Sequence, residues 1–211
     1  SKGVLPAACR TSGLVLCVDK TQKSLRLVSH GRIILTADAR FGGVDILFNN
    51  AGICICTEAE TMTLEQWRKV VDVDLTAQFL MARAAGQRMI KAGKGGAIIS
   101  TASMSGHIVN VPQPQCAYNA AKAGLIHLTK SLATEWAKYN IRVNCISPGY
   151  MATPLSIDVP RERMENWFFF APMKRMGLPE ELQGAVVYLA SEAASYTTGA
   201  DIIIDGGYSC V

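Results

Sequence analysis

Residues 44–52 read VDILFNNAG: a short apolar run, then two amides, an alanine and a glycine. A half-exposed antiparallel strand alternates polar and apolar residues. VDILF does not alternate cleanly and suits a parallel sheet covered on both faces. Outward from it lie similar runs at Gly13–Asp19 (GLVLCVD), Gly31–Leu35 (GRIIL), Ala97–Ser100 (AIIS), Ile141–Ile146 (IRVNCI) and Asp201–Ile204 (DIII). Helical patterns separate them. Thr63 with Gln66 three residues later makes a capping box. Behind it Trp67, Val71, Leu75 and Phe79 recur every fourth residue. A second stripe runs through Leu125, Leu128, Leu132 and Trp136. A third opens at Pro179, a favourable first helical position, and continues through Leu182, Val186 and Leu189. Strand alternating with helix predicts one α/β domain over residues 1–211, a doubly wound parallel sheet. Ligands of such sheets bind beyond the carboxyl ends of the strands.

The 211 residues are 49% apolar and 18% charged, with a net charge of +4. That composition is globular and carries no basic stripe for nucleic acid. No apolar run reaches a membrane span, and Ser1–Arg10 lacks the pattern of a signal peptide. The seven cysteines form no paired framework. Cys54 and Cys56 have no second Cys/His pair at metal spacing, so no metal is expected. Unpaired thiols fit a reducing compartment such as the cytoplasm.

The unusual residues fall where ligands are expected. Tyr118 and Lys122 are four apart, on one helix face, with Cβ atoms about 5–6 Å apart. A phenol is a poor base near neutrality, and a neighbouring ammonium lowers its pKa. Such a phenol can take a proton from an alcohol or give one to a forming alkoxide. Ser103, in AIISTASMSG after a strand, offers a hydroxyl for the substrate oxygen; Ser100 and Ser105 are rivals. Asn49, Asn50, Ala51 and Gly52 can pin a helix and line a cofactor cleft. Pro148 and Gly149 turn the chain after IRVNCI.

Together NNAG, AIISTASMSG, YNAAK and SPGYMAT resemble the short-chain dehydrogenases/reductases over roughly Gly42–Val211. The stretches from Ser103 to Trp136, Asn144 to Leu155 and Tyr196 to Ser209 are most similar to the branch of mannitol dehydrogenases, sorbose reductases and L-xylulose reductases. The resemblance implies a Rossmann-like fold and hydride transfer between NAD(P)(H) and a polyol or ketose. It makes Ser103 the substrate-orienting serine, because it lies three residues before Gly106. Tyr118 becomes the acid/base, and Lys122 the group that holds the nicotinamide ribose and lowers the Tyr118 pKa. Residues Asn49, Ala51 and Gly52 then flank the cofactor, together with Pro148 and Gly149. Backbone near Met151 and the Thr153 hydroxyl take the carboxamide. Asp74 stands where many members carry Asn; it can accept from a relay water but, ionised, cannot donate. Pro154–Arg175, with Trp167 to Phe170, is a mobile substrate lid in the family. Asn110, Gln113 and Gln115 can read sugar hydroxyls. A homotetramer follows from the same resemblance.

The pattern breaks before residue 49. No G-x-G-x-x-G occurs there, so a pyrophosphate cradle is not found. GLVLCVD reads as the family's second strand, with the first strand, turn and helix missing and a later helix shortened near Asp38. A chain this short is expected to bind dinucleotide weakly. Asp19 ends that strand and favours NAD; Lys20 beside it favours NADP. Two other readings remain: a non-catalytic dehydrogenase-like scaffold, and a reductase of a non-sugar ketone.

Overall fold

The computed structural model describes residues 15–17, 43–153 and 161–211. The stretches around Asp19, Gly31–Leu35 and Asp38, and residues 154–160 of the expected lid, lie outside the described residues.

Among the described residues five parallel strands form one sheet in sequence order: β1 Val15–Cys17, β2 Ile46–Asn49, β3 Gly96–Thr101, β4 Ile141–Pro148 and β5 Asp201–Ile204. The parallel sheet is as the sequence predicts. Val15–Cys17 lies directly against β2, with Leu16 opposite Leu47. The edge of β2 presents backbone donors and acceptors, and a short apolar run satisfies them.

From β2 onward each crossover contains helix, as parallel neighbours require. Between β2 and β3 run α1 (Leu64–Val71), a π turn (Asp72–Thr76) and α2 (Ala77–Ala92). The Thr63/Gln66 capping box starts α1: Thr63 Oγ1 accepts from Gln66 N at 3.2 Å, and Gln66 Oε1 accepts from Thr63 N at 2.9 Å. Gly93 ends α2 in the left-handed region that glycine favours. Helix α3 (Cys116–Trp136) joins β3 to β4. Between β4 and β5 lie α4 (Arg161–Phe170) and α5 (Gln183–Ala190).

Both faces of the sheet are covered. On one, Leu47, Ile98 and Val143 pack against Met81, Ala85 and Met89 of α2 and Leu132 of α3. On the other, Ala97, Ile99 and Ile146 pack against Leu189 and Val186 of α5. Arg142 on β4 fixes the end of α5, donating to Leu189 O at 2.6 Å and Ser191 O at 3.1 Å. The expected stripe of α1 and α2 is displaced. Trp67 is 38% exposed, while Val70, Ala77 and Met81 are buried. The π turn holds an extra residue, which rotates the apolar face away from a strict fourfold spacing.

Candidate active site

The carboxyl ends of β2, β3 and β4 open into a cleft of about 460 Å³. Three local devices build its chemical wall. Helix α3 presents Tyr118 and Lys122 from its first two turns. The loop after β3 folds into a tight turn over Met104–Gly106, capped by Ser103 Oγ, which accepts from Ser105 N at 3.1 Å. Gly106 lets this turn rest on α3: a Cβ there would stand 2.6 Å from Ile126 Cδ1 and 3.0 Å from Ala123 N. The Ser103 hydroxyl thereby lines the same cleft as the Tyr118 phenol. Ser100 pairs within the sheet and does not line the cleft, and the Ser105 hydroxyl accepts from Gln115 Nε2 at 3.2 Å.

Lys122 is buried. Its ammonium donates to Thr101 O at 2.8 Å and pairs with Asp74 at 3.3 Å. The Asp74 carboxylate also accepts from Ile53 N, at 3.2 and 3.0 Å. Gly52 passes through this pair; a Cβ on it would lie 2.6 Å from Asp74 Oδ1 and 3.3 Å from Lys122 Nζ. A side chain in NNAG at that position has no room.

Burial pushes the Tyr118 phenol above its ordinary value, the Ser103 hydroxyl pulls it down, and Asp74 and then Cys54 push it up. Lys122 is held below its usual range by burial, with Asp74 opposing that fall. Lys122 Nζ pairs with Asp74 at 3.3 Å and lies 5.5 Å from the Tyr118 ring centroid.

Of the residues singled out in the sequence, Gly52, Ser103, Tyr118, Lys122, Pro148, Gly149, Met151 and Thr153 share this cleft. Asn49, Ala51 and Asp74 do not line it. Asn49 Nδ2 donates to Gln78 O at 2.9 Å, and Gln78 Nε2 donates to Ala51 O at 2.6 Å, so Asn49 and Ala51 pin α2 to β2. Asn50 is the amide that faces the cleft. Asp74 lies fully buried behind Lys122 and meets backbone and ammonium. Asp19 falls outside the described residues.

Opposite Tyr118 stands a wall of amides and aromatics. Gln115 Nε2 lies 3.0 Å from Asn110 Oδ1 and 2.9 Å from Asn119 Oδ1. Gln113 Oε1 accepts from Tyr150 OH at 2.5 Å and from Trp167 Nε1 at 2.7 Å. Tyr150 stacks on Trp167 with ring centroids 4.0 Å apart and planes 10° from parallel. Tyr150 was not predicted from the sequence, although it lies within SPGYMAT; only its contacts reveal it.

Residues at the nicotinamide end of a dinucleotide fit this cleft. Thr101 Oγ1 is buried at its floor with no hydrogen-bond partner among the described residues, and Pro148, Gly149, Met151 and Thr153 stand across from Tyr118. No group of three or more His, Cys, Asp or Glu among the described residues could hold a metal. No described helix is long and apolar enough to cross a membrane.

The profile of the enoyl-(acyl carrier protein) reductase family matches residues 29–209. A probable NADP-dependent mannitol dehydrogenase of Yarrowia lipolytica is 51% identical over 179 residues, covering 84% of this chain and 64% of that protein. A sorbose reductase of Candida albicans is 46% identical over 181 residues, covering 85% of this chain and 64% of that protein. The chain thus spans 64% of the length of these relatives. The crystal structure of a short-chain type dehydrogenase/reductase from Mycobacterium marinum superposes with a TM-score of 0.85 at 44% identity, over 88% of this chain and 73% of that one.

Proposed function

The chain belongs to the short-chain dehydrogenase/reductase family, and from that premise we propose that it moves hydride between NAD(P)(H) and an uncharged polyol or ketose. The nicotinamide supplies or takes up the hydride. Tyr118 gives the proton to the substrate oxygen in reduction and takes it in oxidation. Ser103 hydrogen-bonds the same oxygen and orients it. Lys122 holds the nicotinamide ribose, and Met151 backbone and Thr153 hydroxyl hold the carboxamide. Trp167 and Tyr150 close one side of the cleft and exclude water from it.

One observation carries the choice of substrate. Among the described residues lining the cleft there is no carboxylate, and the single cation, Lys122, is already paired with Asp74. The wall offers hydroxyls and amides instead. A phosphate or carboxylate on the substrate would be desolvated there without a charged partner, which is costly. Neutral hydroxyl groups find donors and acceptors. The names of the mannitol and sorbose relatives agree with this reading. The word NADP in the first name supports NADP over NAD as the cofactor. A homotetramer is proposed on the open edge of β5, where Ile203 is 42% exposed.

The test is initial rates with NADPH and NADH on fructose, sorbose, a sugar phosphate and a keto acid. Reduction of the neutral ketoses, with little turnover of the charged compounds, is the expected result. Faster turnover of a charged substrate would sink the proposal. Tyr118→Phe is expected to lower kcat by about 10²–10⁴-fold while the fold is kept.

A further inference from the structure

Outside the catalytic trio, two further side chains meet at one carboxylate oxygen. His107 Nε2 lies 2.6 Å from Asp201 Oδ2, and Ser147 Oγ donates to the same oxygen at 2.8 Å. Ser147 Oγ is 3.5 Å from His107 Nε2, which closes the triangle. An ionised carboxylate only accepts, so the imidazole turns an Nε2–H toward it. Ser147 is fully buried, and the side chains of Asp201 and His107 are 9% and 31% exposed. The second oxygen, Asp201 Oδ1, is buried with no hydrogen-bond partner among the described residues. The Cys145 thiol also faces Asp201, but a thiol is a weak donor. A buried carboxylate with an orphaned oxygen is destabilising on that side, and β4 and β5 are already joined by their own ladder. Holding the two strands together does not account for the cluster.

Its place in the chain does. His107 directly follows the Met104–Gly106 turn and closes it, its N–H donating to Met104 O at 2.8 Å. That turn carries Ser103. Ser147 directly precedes Pro148 and Gly149, which line the cleft across from Tyr118. Asp201 opens β5, opposite Cys145 of β4 in register. One carboxylate on the sheet thus takes hold of the far end of the Ser103 turn and of the strand end that leads into the Pro148 turn. Gly106 seats the turn on α3, but a seat on one helix leaves the turn able to slide along it. The carboxylate ties the turn to the sheet as well.

We infer that His107 is a positioning residue for Ser103: held by Asp201, it fixes the Ser103 turn against the end of β4 and so sets where the substrate oxygen lies relative to the nicotinamide side of the cleft. The inference rests on the reading of Ser103 as the group that orients the substrate oxygen, and deepens it. His107 does not line the cleft and acts through the turn. A misplacement of about 1 Å at a reacting group can cost about 10²-fold in rate.

The test is His107→Ala in the full-length protein, beside His107→Gln, whose amide N–H can replace the imidazole Nε2–H. Amide hydrogen exchange reads the turn directly, since Ser105 N donates to Ser103 Oγ and Gly106 N to Ser103 O. His107→Ala is expected to speed exchange at both amides by about tenfold or more, while the amides of α3 hold. In reduction kinetics kcat is expected to fall by up to about 10²-fold, more than either KM rises, and His107→Gln is expected to retain much of it. In a Ser103→Ala background the same substitution is expected to change kcat little, because the group it positions is gone. Unchanged exchange at Ser105 and Gly106 overturns the inference. So does a kcat loss that repeats in full in the Ser103→Ala background, which would make His107 a support of the fold alone. Should His107→Ala fail to fold, Asp201→Asn, which keeps the size and removes the charge, goes through the same measurements with the same outcomes. Exchange needs no turnover: a looser turn in a protein that reduces no ketose and oxidises no polyol would reject the proposed substrate class and leave the His107 tie standing.

Discussion

Trp167 donates its indole N–H to Gln113 Oε1 at 2.7 Å, tying helix α4 to the loop that leads into the Tyr118 helix. The same oxygen accepts from Tyr150 OH. One amide therefore satisfies two donors on segments well separated in sequence.

Gln113→Ala removes that acceptor and leaves the Trp167 and Tyr150 donors unpaired, at a cost of about 1–3 kcal/mol per buried group. The expected outcome is a raised KM for the polyol or ketose with a smaller change in kcat. Gln113→Glu keeps an acceptor and is expected to retain more of the wild-type KM. Steady-state kinetics of the two variants side by side make the comparison; equal KM values would remove the tie.

Gly52→Ala places a methyl group where Asp74 Oδ1 now stands. Overpacking of this kind costs about 1–3 kcal/mol, and it separates a buried ion pair. The variant is expected to melt at lower temperature and to lose activity more than Gly184→Ala, where a Cβ meets nothing within 4 Å. Thermal unfolding and kcat/KM of both variants test this.

Cys145 is buried and its thiol is pushed above its ordinary value, first by burial and then by Asp201. Above about pH 8.5 an unfolded thiol gives up its proton. The folded one retains it, so the folded state binds more protons and stability falls as pH rises. The loss begins at the unfolded value and continues until the raised folded value is passed. Tyr118 and Tyr150, also pushed up mainly by burial, add to it from about pH 10. Melting temperature is expected to decline on going alkaline, and less steeply in Cys145→Ala. Parallel slopes would contradict this.

Leu189 is fully buried against β3 and β4. Leu189→Ala is expected to cost about 2–5 kcal/mol in denaturant unfolding. Kinetic constants of the folded fraction are expected to hold, because Leu189 does not line the cleft.

Much of this was legible in the sequence where local rules act alone. Asp201–Ile204 is the strand as read, and Thr63 with Gln66 caps α1 as read. Ser103, Tyr118 and Lys122 converge because one strand end and one helix start carry them. The rest depends on contacts between distant segments. A π turn cannot be seen in a fourfold repeat, so the apolar face of α1 and α2 was placed on Trp67 and Val71 instead of Val70 and Ala77. Asp74 was read as a water acceptor because nothing in VDVDL shows that Lys122 will stand beside it. Asn49 and Ala51 read as able to pin a helix and to flank a cofactor; the partner that does the pinning, Gln78, lies some thirty residues on and is not visible in NNAG.

Gly106 has a mechanical consequence. Because the Ser103 turn sits directly on the backbone of α3, serine, phenol and ammonium ride on a single rigid rod. A displacement of α4 would alter the entrance that Trp167 lines without stretching the spacing inside the trio. The chemistry is insulated from the motions that let substrate in.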